Sequence, residues 1–198
     1  NLTNSHAICI QHAFYAIYSY PLRLEGQNTE FNFTLSLKQA ERLQLNLKKT
    51  MIINYPYRPS FKSNKIEQVI LVGVGGVYYD NAIYLDSIKH FQRIAQIINE
   101  LFDLTVLYRP HPNEQLFPEI LEMLKNNFTI DALRPKERLT ESRSIFIGIA
   151  SSLLHEAELL SHPVAYFNGD HRQTAGLSAS AKMLCIPNFD DLGGWIHD

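Results

Sequence analysis

Val69-Ile70-Leu71-Val72-Gly73-Val74 is an almost unbroken apolar run rich in β-branched residues, the pattern of a strand covered on both faces. Beyond it Leu85, Ile88, Phe91, Ala95, Ile98 and Phe102 recur at helical spacing and mark one face of a long helix. Leu104 to Tyr108 then supplies a second apolar run. Strand, helix and strand in this order form a parallel crossover, because parallel neighbours need a long connection and not a hairpin.

The same alternation continues toward the carboxyl end. Pro118 suits the first turn of a helix whose apolar side carries Ile120, Leu121 and Leu124. Phe128-Thr129-Ile130 predicts a short strand, and Pro135 to Glu141 reads as a polar connection. Ile145 to Ile149 is a further strand, Ser152 to Leu160 a helix, Val164 to Phe167 a strand, and Met183 to Ile186 a last one. This order predicts an α/β fold, a Rossmann-like doubly wound and mostly parallel sheet, over residues 61–198. Residues 1–60 read as the tail of a preceding domain and a linker. They hold strand-like runs at Ala7–Ile10 and Met51–Asn54, a helix over Leu37–Lys48 capped by Ser36, and the linker Tyr55-Pro56-Tyr57-Arg58-Pro59-Ser60. The chain begins at Asn1 and runs directly into His6-Ala7-Ile8-Cys9-Ile10, which predicts a piece of a longer protein.

A chain of 198 residues that is 45% hydrophobic can bury a substantial core. Its net charge of −2 gives no basic face for a nucleic acid, so nucleic-acid partners are not expected, while a small anion needs only local positive charge. Cys9 and Cys185 lie in apolar runs without CxxC spacing, which predicts buried free thiols. No cluster of carboxylates and histidines has ligand spacing, so no metal and no cofactor is implied.

Two stretches concentrate chemistry. Tyr108-Arg109-Pro110-His111-Pro112 ends one predicted strand, and Ala150-Ser151-Ser152-Leu153-Leu154-His155-Glu156-Ala157 follows another and opens a helix. Both therefore fall at the carboxyl edge of the sheet, where α/β proteins bind ligands. The prolines restrict the backbone on either side of His111, and Arg109 offers a fork of donors suited to phosphate. His111 could alternatively cap the next helix. One serine suffices as a helix cap, so Ser151 and Ser152 together leave a second hydroxyl and free N–H groups for an anion. Glu156, one turn in, is equally a ribose or base acceptor and a solvated helix carboxylate. Gly73-Val74-Gly75-Gly76 lacks the third glycine of a dinucleotide fingerprint, since Tyr78 stands there. A tight turn is the expected role, and Gly75 and Gly76 remain candidates for close approach of a nucleoside.

Arg109-Pro110-His111-Pro112 at a strand end, Ser151-Ser152-Leu153-Leu154 with Glu156-Ala157, and His162-Pro163-Val164 before the next strand resemble the carboxyl-terminal half of GT-B glycosyltransferases of bacterial surface polysaccharide synthesis. The nearest patterns are the capsule and lipopolysaccharide Kdo transferases, the bacterial sialyltransferases and the CDP-glycerol glycerophosphotransferases. The resemblance implies a metal-independent enzyme with a cytidine-nucleotide donor, CMP-Kdo-like or CMP-sialic-acid-like, and a glycan or glycolipid acceptor. It implies a cytoplasmic location, with peripheral membrane association through regions outside this chain. Residue by residue it gives His111, Ser151 and Ser152 to the donor phosphate, which the guanidinium fork of Arg109 would join in such a site. Gln11-His12-Ala13 is similar to a Gln-His-Gly segment near the interdomain cleft, with Ala13 in place of glycine, and makes His12 the candidate base. Glu25 is the second candidate, although Leu24-Glu25-Gly26 has one acid where sialyltransferases have two. Glycerol-phosphate transfer from CDP-glycerol and a non-catalytic nucleotide-binding module stand as alternatives.

Overall fold

Ile8–Ile10 (β1), Phe31–Thr34 (β2) and Thr50–Ile52 (β3) pair in parallel in the order β1-β2-β3. These strands belong to a compact unit, Asn1–Pro56, and the rest of the chain, Tyr57–Asp198, forms a second. The computed structural model describes residues 8–10, 31–34, 50–52, 59–61, 63, 65–74, 81–149, 151–167, 184–186, 192 and 196. The helix expected over Leu37–Lys48 lies outside them. The sequence reading passed over β2, although Phe31 and Phe33 alternate with Asn32 and Thr34 in the two-residue period of a strand.

The larger unit is built on a five-stranded sheet, all of whose pairings are parallel. Gln68–Val72 (β4) is followed by the helix Asn81–Leu101 (α1) and by Thr105–Arg109 (β5). A 3-10 turn at Glu114–Leu116 leads to Pro118–Asn127 (α2), and Pro135–Thr140 (α3) leads to Ile145–Gly148 (β6). Ser152–Leu159 (α4), Val164–Phe167 (β7) and Leu184–Ile186 (β8) complete the order. The strands lie as β5-β4-β6-β7-β8. Outside β5, Ile130 makes a single parallel bridge to Tyr108, with the Tyr108 N–H donating to Thr129 O and the Asp131 N–H to Tyr108 O, both at 2.8 Å. The expected strand at Phe128–Ile130 is thus reduced to one bridge. Counting it, the strands follow the Rossmann order 3-2-1-4-5-6, with the reversal between β4 and β6.

Helices cover both faces. Val69, Leu71, Tyr108, Ile145 and Ile147 pack in one cluster with Tyr84, Ile88, Phe91, Ile94 and Ile98 of α1 and Leu124 of α2. On the other face Val72, Gly148 and Leu154 of α4 are neighbours, and Phe146 meets His162 edge-on at 4.9 Å. Each fully buried aliphatic or aromatic side chain here contributes about 1.5–3 kcal/mol relative to exposure. In α1 the buried stripe runs through Tyr84, Ile88, Phe91, Ile94 and Ile98. Leu85, expected on that stripe, is 39% exposed, because the stripe passes one position before it. The connection expected over 135–141 is in part α3, a helix that Pro135 opens and whose Glu137 carboxylate accepts the Arg134 N–H at 3.1 Å. Among its residues only Arg138 and Leu139 are buried, so it carries almost no apolar periodicity to read.

The motif Ser161-His162-Pro163 is structural. The Ser161 N–H donates to Glu158 O at 2.9 Å and the His162 N–H to Ala157 O at 3.0 Å, the paired bonds of a Schellman cap ending α4. The buried His162 ring donates from Nε2 to Leu139 O at 2.9 Å and accepts the Ser144 N–H at Nδ1 at 3.2 Å. It stands at the amino edge of β6 and β7, opposite the proposed ligand edge. Burial lowers its pKa, in keeping with a neutral ring.

Ser161 occupies the cap position with φ of 67°, where glycine is the unstrained residue. Ser161→Gly is therefore expected to stabilise the fold by about 0.5–1 kcal/mol, the left-handed cost relieved less the added freedom of the unfolded chain. Urea unfolding of the two proteins checks this. A lower midpoint in the glycine variant would contradict the strain assigned to Ser161.

Candidate functional site

The carboxyl ends of β4, β5 and β6 open into a cleft of about 620 Å³, within the range of small-molecule sites. Val72 at the end of β4 and Gly73 beyond it, Arg109 to Pro112 at the end of β5, and Ser151, Leu153 and Glu156 at the start of α4 line it. Ile130 to Pro135, with Leu121 and Lys125, close its other side. The cleft thus sits at the strand-order reversal, where neighbouring crossovers leave a sheet in opposite directions and a crevice opens between them. Arg109, Lys125 and Arg134 outnumber the lining carboxylates Asp131 and Glu156, so the cleft favours an anion.

His111 is half-buried on this wall, and both its backbone and its ring are fixed. Its N–H donates to Glu114 Oε2 at 2.5 Å, and its carbonyl accepts the Glu114 N–H at 2.9 Å. The ring Nδ1 accepts the Asn113 N–H at 3.1 Å. A nitrogen that accepts carries no proton, so the neutral ring holds its proton on Nε2, which is the atom left for a ligand. Burial lowers the His111 pKa and keeps this neutral form at pH 7. His111 is not the cap of the next helix, the alternative role open to it: Asn113 stands at the cap of Glu114–Leu116 and Phe117 at the cap of α2.

Arg109 is not the unencumbered fork that the sequence suggests. Its Nη1 donates to Asp131 Oδ2 at 2.7 Å and to Leu133 O at 3.0 Å. Asp131 is shared, because Arg138 donates to it from Nε and from Nη2, the latter at 2.6 Å. Arg138 also donates from Nη1 to Gln68 Oε1 at 2.5 Å. Two guanidinium groups on one carboxylate leave a net positive charge at the cleft wall, with the Arg109 side chain 12% exposed and that of Asp131 wholly buried. Burial alone would raise the Asp131 pKa, yet the hydrogen bonds and charges of Arg138 and Arg109 bring it below the usual carboxylate range.

Ser151 is the helix cap of α4. In an extended backbone, with φ of −158° and ψ of 139°, its Oγ accepts the Leu153 N–H at 3.3 Å, which leaves the hydroxyl proton free to donate. Ser152 occupies the first helical position, and its side chain lies outside the described residues, as do Gly75, Gly76, His12 and Glu25. The structure therefore brings Arg109, His111, Ser151 and Glu156 to one cleft. Among the described residues no group of histidine, cysteine and acidic side chains is arranged to hold a metal ion, and no helix is long and apolar enough to cross a membrane.

Sequence reasoning missed Glu114. It is wholly buried, and the Tyr84 and Tyr108 hydroxyls donate to its Oε1 at 2.7 and 2.8 Å. Burial raises its pKa against the opposing effect of these bonds and of the His111 N–H, and the tyrosine pKa values are raised by burial and by the adjacent carboxylate. The available signal was its spacing, an acid three residues after His111, the separation at which a carboxylate reaches back to a backbone N–H. No protein-family model matches the chain, and a search of curated proteins gives no match either.

Removing the shared charge has a calculable consequence. Asp131→Asn leaves two guanidinium groups without their buried counter-charge and is expected to cost about 3–5 kcal/mol of stability at pH 7. Because the folded pKa of Asp131 is depressed, its contribution is present above the ordinary value of about 3.9 and is lost as pH falls below it. Urea unfolding as a function of pH should show a large deficit for the variant at neutral pH that narrows in acid. A loss below about 1 kcal/mol at neutral pH, the scale of an exposed pair, would contradict the assignment.

Proposed function

We propose that this chain is the donor-binding half of a metal-independent GT-B glycosyltransferase that uses a cytidine-nucleotide-activated sugar, CMP-Kdo-like or CMP-sialic-acid-like, to build a bacterial capsule or lipopolysaccharide glycan. The observation that carries the reading is the convergence of His111, Arg109 and Ser151, from two separate motifs, on one cationic cleft at the strand-order reversal. The Arg-Pro-His-Pro and double-serine resemblance supplies the cytidine preference.

In this reading the His111 Nε2–H, the Ser151 hydroxyl, the start of α4 and Arg109, whose counter-charge Asp131 is shared with the buried Arg138, face the donor phosphate. The bond between the anomeric carbon and a phosphate oxygen breaks, and the phosphate keeps the electron pair. Donors already fixed in place stabilise that growing charge without reorganising, each worth about 3 kcal/mol of barrier by comparison with oxyanion-hole donors. The acceptor hydroxyl forms the new bond and gives its proton to a base, a role proposed for His12 or Glu25. Ile130, Ala132, Leu133 and Pro135 offer an apolar wall for the nucleoside, with Glu156 at the opposite side as a hydroxyl acceptor. Lys125 and Arg134, both exposed on the same cleft, favour CDP-glycerol as a second reading, because they would suit a second phosphate.

A thermal-shift and titration panel of CMP, CDP, UDP and GDP tests the reading. CMP is expected to stabilise the protein most, CDP doing so most if the second reading holds. His111→Ala should weaken nucleotide binding by about tenfold or more, 1.4 kcal/mol, with little loss of folding, because water can replace the ring at the half-exposed Asn113 N–H. Equal stabilisation by all four nucleotides would remove the cytidine assignment. Unchanged affinity together with a large fall in Tm would make His111 a structural residue.

A further inference from the structure

Glu114 does not line the cleft, yet the geometry of the cleft passes through it. An apolar side chain could fill its buried position without the cost of dehydrating a carboxylate. What an apolar side chain cannot do is hold the His111 backbone N–H, and Glu114 Oε2 does so at 2.5 Å. Its other oxygen is tied at 2.7 and 2.8 Å to Tyr84 of α1 and Tyr108 of β5, so the carboxylate is fixed to two rigid elements before it reaches the loop. Gly73 makes room for this arrangement. A methyl group there would overlap Glu114 Oε2 and lie 2.8 Å from the His111 nitrogen and 2.9 Å from the Tyr108 hydroxyl. The loop from Pro110 to Glu114 is thus seated on β4 by an absence of side chain and on β5 and α1 by a shared acceptor.

We propose that Glu114 is a positioning residue that, with Tyr84, Tyr108 and Gly73, holds His111 in the orientation that presents Nε2–H to a bound phosphate. The phosphate rests on the function proposed above, whereas the clamp on the imidazole stands without it. Glu114→Gln can preserve the clamp, since its amide oxygen can accept the His111 N–H while its NH2 group donates to the tyrosine oxygens. Glu114→Ala removes it, and Gly73→Ala displaces it by pushing the carboxylate aside without removing it.

The test uses the full chain, CMP as the probe, and the ring nitrogens of His111 observed by long-range 1H–15N NMR without ligand. Wild type and Glu114→Gln should show one tautomer, protonated at Nε2, and similar affinity for CMP. Gly73→Ala and Glu114→Ala should show averaged ring signals and a loss of affinity of about tenfold, the scale of one charge-assisted hydrogen bond. In a His111→Ala background the same substitutions should cost less than about twofold, because residues acting through one another are not additive. Equal losses with and without the imidazole would overturn the proposal, making Glu114 and Gly73 general packing residues or placing Gly73 against the ligand itself. If Glu114→Ala does not fold, Gly73→Ala and Glu114→Gln carry the comparison. Failure of the wild type to bind CMP would count against the nucleotide reading alone. The ring spectra would then decide the clamp: averaging in Gly73→Ala supports it, and an unchanged single tautomer overturns it.

Discussion

β4 pairs in parallel with β5 on one side and β6 on the other, and the consequences of that double pairing organise the larger unit. Parallel neighbours demand crossovers, and crossovers of one hand leaving in opposite directions place their helices on opposite faces. The core data agree: α1 and α2 share a cluster with Val69 and Leu71, while α4 meets Val72 and Gly148. The crevice between the diverging connections is filled by whatever follows the strands. Here those segments are Gly73, Arg109 to Pro112, and the capped start of α4.

Two buried carboxylates keep that edge in shape, and they work differently. Asp131 neutralises part of the charge of two arginines and is driven toward its ionised form by them. Among the described residues the Glu114 carboxylate bonds to two tyrosine hydroxyls and a backbone N–H and to no cation, and burial pushes its pKa up. Their pH contributions therefore have opposite signs. The Asp131 term is lost as pH falls through its lowered folded value, and the Glu114 term is lost as pH rises through its raised one. Both act on residues of the cleft wall, Asp131 on Arg109 and Glu114 on His111, so the stability of this edge and the geometry of the site share the same bonds.

The central strands β4 and β6 were legible because nearly every position in them is buried, so that each appears as a continuous apolar run. The helix α3 was not, because its inward side is an arginine and one leucine, and the third strand had nearly vanished into the Ile130 bridge. At the site, the prolines and the serine pair exposed His111 and Ser151 through local chemistry alone. The ion-pair group of Arg109 could not be read in this way, since its partner Asp131 and the second arginine on that carboxylate, Arg138, stand 22 and 29 residues away in sequence and are joined only by the fold. Glu114 was hidden for a related reason. A short-range spacing hinted at its bond to His111, but its tyrosines come from α1 and β5, and nothing in a linear reading shows a glycine vacating space for a carboxylate.

The most direct measurement of the central claim is a backbone amide map of the full chain titrated with CMP. If the strand-order reversal holds a nucleotide phosphate, the saturable shifts concentrate at Gly73, His111, Gln115, Ser151, Leu153 and Glu156, spanning both sides of one cleft. Saturable shifts confined to other surfaces, or none at all at millimolar nucleotide, would contradict the account.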